Sequence, residues 1–345
     1  MKILYHIQYP EGFGDDRFIY DGLRRAFEDF GHTVRPLTER DDMETMFREF
    51  SPDIFIVALN AVNADIARIA PIMKQARGRG TKVFMRAGRV EPDLFPGRYD
   101  AFIALARKDM VADVYHADLL IPKPYFFDLV GRPCEVLPLA GEKRENVPIV
   151  PVEKYRCDIM YIGANLPKKR ELFRRRLLPL LKRYDVKVFG GDWDMLDRYF
   201  LHPLAKIDRI LNFGGIFARW RISRQVPVGE ESLAYASAKI ALNFHEQHKD
   251  SPSVFNLNAR VFKIPAAGGF EICDFVPEVR DYFSEDEIPM PKTDEEFFKT
   301  VDYYLTHEAE RKVMQERATA RAQKEHTWHN RAQTMLGWYN EAKQP

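Results

Sequence analysis

Two α/β units, each built on a doubly wound parallel sheet, are the architecture this sequence predicts. Three observations predict it. Apolar runs of four to seven residues alternate with helical stretches along most of the chain, the pattern of buried parallel strands and their crossover helices. The 345 residues exceed one ordinary core and suit two domains of about 150 each. A polar segment bearing Pro148 and Pro151, Gly141–Glu153, divides the alternation into two blocks of similar size.

In the first block, Lys2–Ile7 reads as a short apolar strand. A loop with Gly12 and Gly14 follows, then a helix through Phe18, Leu23, Ala26, Phe27 and Phe30 that Gly31 ends. Asp53–Leu59 is a buried strand and Ala64–Arg77 a helix. Lys82–Met85, Ala101–Ala104 and Cys134–Leu139 are three more strands. In the second block Cys157–Ile162 is a strand, Lys168–Tyr184 a helix and Val186–Phe189 a strand. Ser232–Ser237 is a short helix, Ile240–Phe244 and Gly269–Cys273 are strands, and Asp294–Leu305 is a helix. Glu308–Tyr339 reads as one long polar helix, and residues 194–230, rich in Arg, Phe and Gly, are the least legible. The expected division is 1–145, 153–325 and a helical tail, 326–345.

Charged residues at 30% and hydrophobic ones at 46% describe a globular chain. No apolar run reaches the roughly 18 residues of a membrane span, and the N-terminus lacks a signal-peptide core. Cys134, Cys157 and Cys273 are scattered, without a CxxC pair, which favours reduced thiols and a cytoplasmic address. The net charge of +1 hides an asymmetry: fifteen Lys/Arg against six Asp/Glu over Lys168–Arg224, and thirteen acids against five bases over Asp274–Glu316. Such runs serve as solvated faces, or the basic one faces an anionic ligand across a cleft.

The most informative stretch is Phe255–Phe275. Asn256, Asn258 and Arg260 lead into Val261, Phe262 and Ile264, then Pro265-Ala266-Ala267-Gly268-Gly269, then an apolar run closing on Asp274. Small residues between a helix and a strand mark a close approach of backbone to something. With YIGAN and Lys168–Arg170, the VFGGDW stretch, KIALNF and the tail EHTWHNRA, this run resembles the CgeB-like branch of group 1 glycosyltransferases. The resemblance covers about residues 155–335, and the first 150 by topology only. It implies the GT-B fold, two facing Rossmann-like domains with a cleft between them. It also implies metal-independent transfer of a sugar from a UDP-, GDP- or dTDP-linked donor on the second domain to an acceptor on the first. That acceptor is a polysaccharide precursor, a protein or a lipid carrier. A nucleic-acid acceptor, which the basic run would suit, and a non-catalytic nucleotide-sugar binder are the alternatives.

The donor site can also be argued residue by residue. Asn165 as N-cap and Pro167 at N1 start a helix whose next residues are Lys168, Lys169 and Arg170. Cations in a first turn cost about 0.3–1 kcal/mol each, a cost that a bound diphosphate reverses. Gly163 precedes them. Arg260 and Asn258 are placed to orient phosphate, with Gly268 and Gly269 offering backbone amides. Asn243 and His245 stand at a strand's carboxyl end, where ligands of such sheets bind. Gly191 and Trp193 are expected at the nucleotide base. Asp192-Trp193-Asp194 reads as part of that loop, not as a metal-binding DxD, and His245 with His248 does not read as a metal pair. Asp15 and Asp16 are the candidate bases, or helix caps, and His326, Thr327, Trp328 and Arg331 form a structural latch. The family's Glu-x7-Glu pair falls on Phe255 and Lys263 here. A cation cannot accept ribose hydroxyls, so either Glu271 or Asp274 replaces the second acid, or Lys263 reads phosphate, or donor use has changed.

Overall fold

The computed structural model describes residues 1–7, 15–38, 40–87, 96–109, 111–117, 123–145, 149–211, 216–217, 220, 225–227, 229–246 and 257–343. The chain forms two units, one of Met1–Leu139 with Trp328–Pro345, the other of Ala140–Thr327.

The first unit holds strands β1 (Lys2–His6), β2 (Thr33–Leu37), β3 (Ile54–Ala58), β4 (Lys82–Arg86), β5 (Val114–Ala117) and β6 (Cys134–Val136). They lie in the order β2-β1-β3-β4-β5-β6, every pair parallel. Helices α1 (Asp15–Asp29), α2 (Met43–Phe50), α3 (Leu59–Ala64), α4 (Ile66–Gly78), α5 (Asp100–Asp109) and α6 (Lys123–Val130) connect them. One strand expectation changes and two further strands appear. Ala101–Ala104 lies within α5, because Asp100 at its start and Arg107 and Lys108 at its end suit the helix dipole. Edge strand β2 is masked in the sequence by Arg35 and Pro36, which an edge tolerates. Strand β5 is masked by its shortness and by His116.

The second unit holds β7 (Cys157–Ile162), β8 (Val186–Phe189), β9 (Ala238–Asn243) and β10 (Glu271–Cys273), in the parallel order β10-β9-β7-β8. Helical run α7 covers residues 167–180: a 3-10 turn Pro167–Lys169, then Arg170–Leu172, a π segment Phe173–Leu177 and Leu178–Leu180. Helices α8 (His202–Leu211), α9 (Glu231–Ser237), α10 (Arg260–Ala266), α11 (Asp294–Thr306) and α12 (Glu308–Glu325) follow. The expected single tail helix is broken at His326-Thr327, where α12 ends and α13 (Trp328–Glu341) begins. The break falls where the chain returns to the first unit.

Pairing inside the second unit accounts for part of the charge asymmetry. Arg175 and Arg176 both reach Asp294, at 3.3 and 2.7 Å, and Arg183 reaches Asp302 at 2.8 Å. Basic and acidic runs therefore partly neutralise each other across one domain.

In the first unit, α13 packs on α1 through Trp328, which is 3% exposed and meets Phe18 edge-on at 5.2 Å. Arg331 ties the same helix to the carbonyls of Pro138 and Leu139, at 2.8 and 3.1 Å. A Cβ on Gly22 of α1 would stand 2.2 Å from the Trp328 ring. Gly22→Ala gains about 1 kcal/mol of helix propensity, but overpacking a buried ring costs about 1–3 kcal/mol or more, so the clash wins. The variant is expected to melt several degrees lower in a calorimetric scan; an unchanged or raised midpoint would show that α13 yields freely.

A candidate donor site at the strand switch point

In the second unit the strand order reverses between β7 and β9, and ligands in such sheets sit beyond the strand carboxyl ends at that point. Gly163 follows β7, and Phe244 and His245 follow β9. Arg260, at the start of α10, joins these ends. Its Nε donates to Asn243 Oδ1 at 3.1 Å, Nη1 to the Ile162 carbonyl at 3.0 Å and Nη2 to the Phe244 carbonyl at 3.3 Å. Its guanidinium also lies over the Tyr161 ring, 5.4 Å from the centroid. Asn258 reinforces the arrangement, donating from Nδ2 to Asn243 Oδ1 at 2.8 Å and accepting the Arg260 amide at 3.0 Å.

Lys169 comes to the same place from α7. It is 5% exposed and its Nζ donates to the Phe244 carbonyl at 2.9 Å. One carbonyl thus collects a buried ammonium and a guanidinium. At the effective dielectric of such a site, two cations this close repel by roughly 2–3 kcal/mol, which a bound anion would offset. Asp274 supplies part of the balance. Burial opposes its ionisation, but the His245 charge, two kinds of hydrogen bond from His245 and the Lys169 charge hold its pKa below the usual range.

Gly163 is closely crowded by side chains. A Cβ there would stand 2.8 Å from Tyr161 Oη and 2.9 Å from Arg260 Nη1. Across from it Gly190, at φ 138°, would put a Cβ 2.2 Å from the Gly163 carbonyl, so glycine is needed on both sides. Trp193 Nε1 donates to the same carbonyl at 2.7 Å, and its ring packs on Phe173 and Tyr161 at 4.9 and 5.9 Å. The Gly191 carbonyl accepts the Asn165 amide at 3.0 Å.

Several expected roles change. Leu166, not Asn165, is the N-cap, and it makes no side-chain cap bond. Lys168 is exposed and lies 3.9 Å from Glu246, while Arg170 is half-buried. Gly268 and Gly269 do not stand with Arg260. Helix α10 runs antiparallel to the strands, so its C-terminus lies toward their amino ends. There the Gly268 amide donates to Pro265 O at 2.8 Å and the Gly269 amide to Ile264 O at 2.9 Å, closing the helix. Gly268, at φ 75°, serves that closure. Among the expected residues, Gly163, Lys169, Asn243, His245, Asn258 and Arg260 are brought together. Asp15 and Asp16 belong to the first unit, where Asp16 pairs with Arg86 at 2.5 Å. Asn256, Phe255, His248, Gly12 and Gly14 lie outside the described residues.

Lys263 has an acid partner that its sequence surroundings do not reveal. Its Nζ lies 2.7 Å from Glu231 Oε2, and Glu231 Oε1 accepts from Tyr235 Oη at 2.9 Å. Burial raises the Glu231 pKa, but the Lys263 charge and hydrogen bond bring it below the usual carboxylate value. The signal in the sequence is a lysine in need of a counter-charge. An acid opening a helix is so common that Glu231 does not stand out.

His245, Cys273 and Asp274 are all buried, with ligand atoms within 4.8 Å of one another, and could hold a metal ion. In the structure His245 Nδ1 is 2.7 Å from Asp274 Oδ1, which fixes the ring. Next to them Glu271 is 2% exposed; burial pushes its pKa up to about 8, against the opposing Asn243 hydrogen bond and Arg260 charge.

Residues 170–337 match the family model described as "Glycosyl transferase-like". Three solved structures are similar over 99% of this chain. A glycosyltransferase from Rickettsia africae ESF-5 gives a TM-score of 0.64 at 12% identity, over 98% of its own length. Alr3699/HepE of Anabaena, in complex with UDP-glucose, gives 0.64 at 12% over 100%. An α-glucosyltransferase in complex with UDP and a 13-mer DNA containing a HMU base gives 0.63 at 11% over 99%. No curated protein matches the chain by sequence. The fold is GT-B, and residues 170–337 are similar to the glycosyltransferase-like domain. No helix among the described residues is long and apolar enough to cross a membrane.

Glu271 makes a testable prediction. An acid whose folded pKa is raised from 4.5 to about 8 contributes fully below 4.5 and loses that contribution as pH rises toward 8. The stability of the wild type relative to Glu271→Gln should fall by a few kcal/mol across that window and level off above it. Urea unfolding of both proteins at several pH values reads this; a pH-independent difference would mean Glu271 is ionised throughout.

Proposed function

We propose that the chain transfers a sugar from a UDP-sugar to an acceptor hydroxyl, without a metal, as a member of the CgeB-like branch. The observation that carries this is the convergence of Lys169 and Arg260 on the Phe244 carbonyl, beside the Gly163–Gly190 approach. Two cations and a glycine-bounded backbone at a strand switch point suit a diphosphate. UDP is favoured because Anabaena HepE was solved with UDP-glucose and the DNA-bound α-glucosyltransferase with UDP.

In this reading the bond from the sugar's C1 to the diphosphate oxygen breaks and a bond from C1 to the acceptor oxygen forms. The diphosphate leaves with the bonding electrons, its growing charge met by Lys169 and Arg260. Asp15 and Asp16 are assigned to the acceptor's proton. Glu231, held by Lys263 and Tyr235, supplies the carboxylate for the ribose hydroxyls that position 263 lacks. The acceptor is a polysaccharide precursor, a protein or a lipid carrier.

Release of UDP from a panel of UDP-sugars is the direct test; no turnover and no thermal shift with any nucleotide-sugar would remove the enzyme reading. Arg260→Ala is expected to weaken UDP by about tenfold or more. Glu231→Gln should weaken UDP and leave 2′,3′-dideoxy-UDP binding unchanged. Unaltered UDP affinity in Arg260→Ala would put the nucleotide elsewhere, and equal losses for both ligands in Glu231→Gln would remove its ribose role.

A further inference from the structure

The segment between β8 and α9 carries an exposed apolar surface. Beginning at a π turn, Asp197–Leu201, and continuing through α8, it has two apolar faces. Leu201 and Ala205 point inward with Asp197 and Asp208, all 8% exposed or less. On the opposite face, at spacings of three and four, stand Leu196, Phe200, Pro203, Ile207, Ile210 and Leu211, all exposed. Phe200 is 60% exposed and Ile210 80%. Exposed apolar side chains are common singly; a stripe along one helix face marks a docking surface.

Charge says what docks there. The acids Asp197 and Asp208 are turned inward, and Asp208 Oδ2 accepts the Phe217 amide at 3.0 Å. Asp194, just before the helix, is exposed, but its carboxylate caps the turn through the Asp197 amide at 2.6 Å. Beside the apolar stripe stand Arg198 and Lys206, with Arg198 lying over the Tyr199 ring at 5.4 Å, while His202 between them turns to Asp192 Oδ1 at 3.0 Å. The stripe is therefore apolar and aromatic with a basic margin. Aliphatic side chains gain little from a nucleic-acid backbone, while a bilayer surface with anionic headgroups takes both features.

We propose that this face of α8 seats the protein on a bilayer containing anionic phospholipid, lying in the interface without crossing it. Ile207, Ile210, Leu211 and Phe200 enter the acyl boundary, and Lys206 and Arg198 meet phosphates. None of these stripe residues is assigned to the donor, so vesicle binding and UDP binding can be scored independently.

Cosedimentation of the full chain with vesicles tests it. Phosphatidylcholine vesicles containing phosphatidylglycerol should bind the protein, pure phosphatidylcholine should bind it far less, and salt should weaken the difference. Ile207→Glu with Ile210→Glu should lower partitioning by about a hundredfold, and Lys206→Glu by about fivefold or more. Because these side chains are exposed, the variants should keep the wild-type melting temperature, which circular dichroism checks. Failure of the wild type to bind anionic vesicles would overturn the proposal, as would undiminished binding by the double isoleucine variant. Self-association that the same variants abolish, or binding of duplex DNA through this stripe without vesicle binding, would also overturn it.

Discussion

Arg260 is the constraint on which the second unit's ligand-facing end depends. Its guanidinium is held by the Ile162 carbonyl, by Asn243 and by the Phe244 carbonyl, so it bridges the ends of two strands that are neighbours in the sheet but far apart in sequence. With that bridge in place, position 163 has no room for a side chain. The resulting backbone surface is met from the other side by Gly190 and fixed by the Trp193 indole. A cation here therefore shapes the site as well as charging it. Replacing it by lysine would keep the charge and lose the planar fork that reaches three acceptors.

The acids around this bridge are sorted by their surroundings. Asp274 is buried with His245 and Lys169 and stays ionised, whereas Glu271, at the start of β10 and bonded to Asn243, is pushed toward the neutral form. Glu231 is held ionised by Lys263. Three carboxylates in one unit thus carry different charge for reasons of burial and pairing, and Glu231 alone pairs with the side chain standing where an acid is expected.

Much of this arrangement is legible in the amino-acid sequence itself. Strands Cys157–Ile162 and Val186–Phe189 have the bounds their apolar runs imply, because a buried parallel strand writes itself as an unbroken apolar run. Gly163, Lys169, Asn243, His245, Asn258 and Arg260 can be singled out because each lies at a strand or helix end. Direction is what a sequence does not carry. Gly268 and Gly269 are close to Arg260 in sequence, but a helix running against the strands carries them to the other edge of the sheet. Nor can the partner of Lys263 be read, since Glu231 lies thirty-two residues earlier and is joined to it only by the fold.

The same reasoning explains why residues 194–230 are hard to read. Hydrophobic periodicity identifies a helix by one buried apolar face, but the run through α8 is apolar on both sides, with Leu201 and Ala205 inside and Ile207 and Ile210 outside. Asp197 and Asp208 face inward while Lys206 faces outward, so charge is removed from the outer face on one side only. A sequence shaped only by solubility would place Asp197 and Asp208 on the exposed side. Their burial, at the cost of desolvating two carboxylates, leaves the outer face apolar with a basic margin, and that arrangement is economical only where something apolar and anionic covers it.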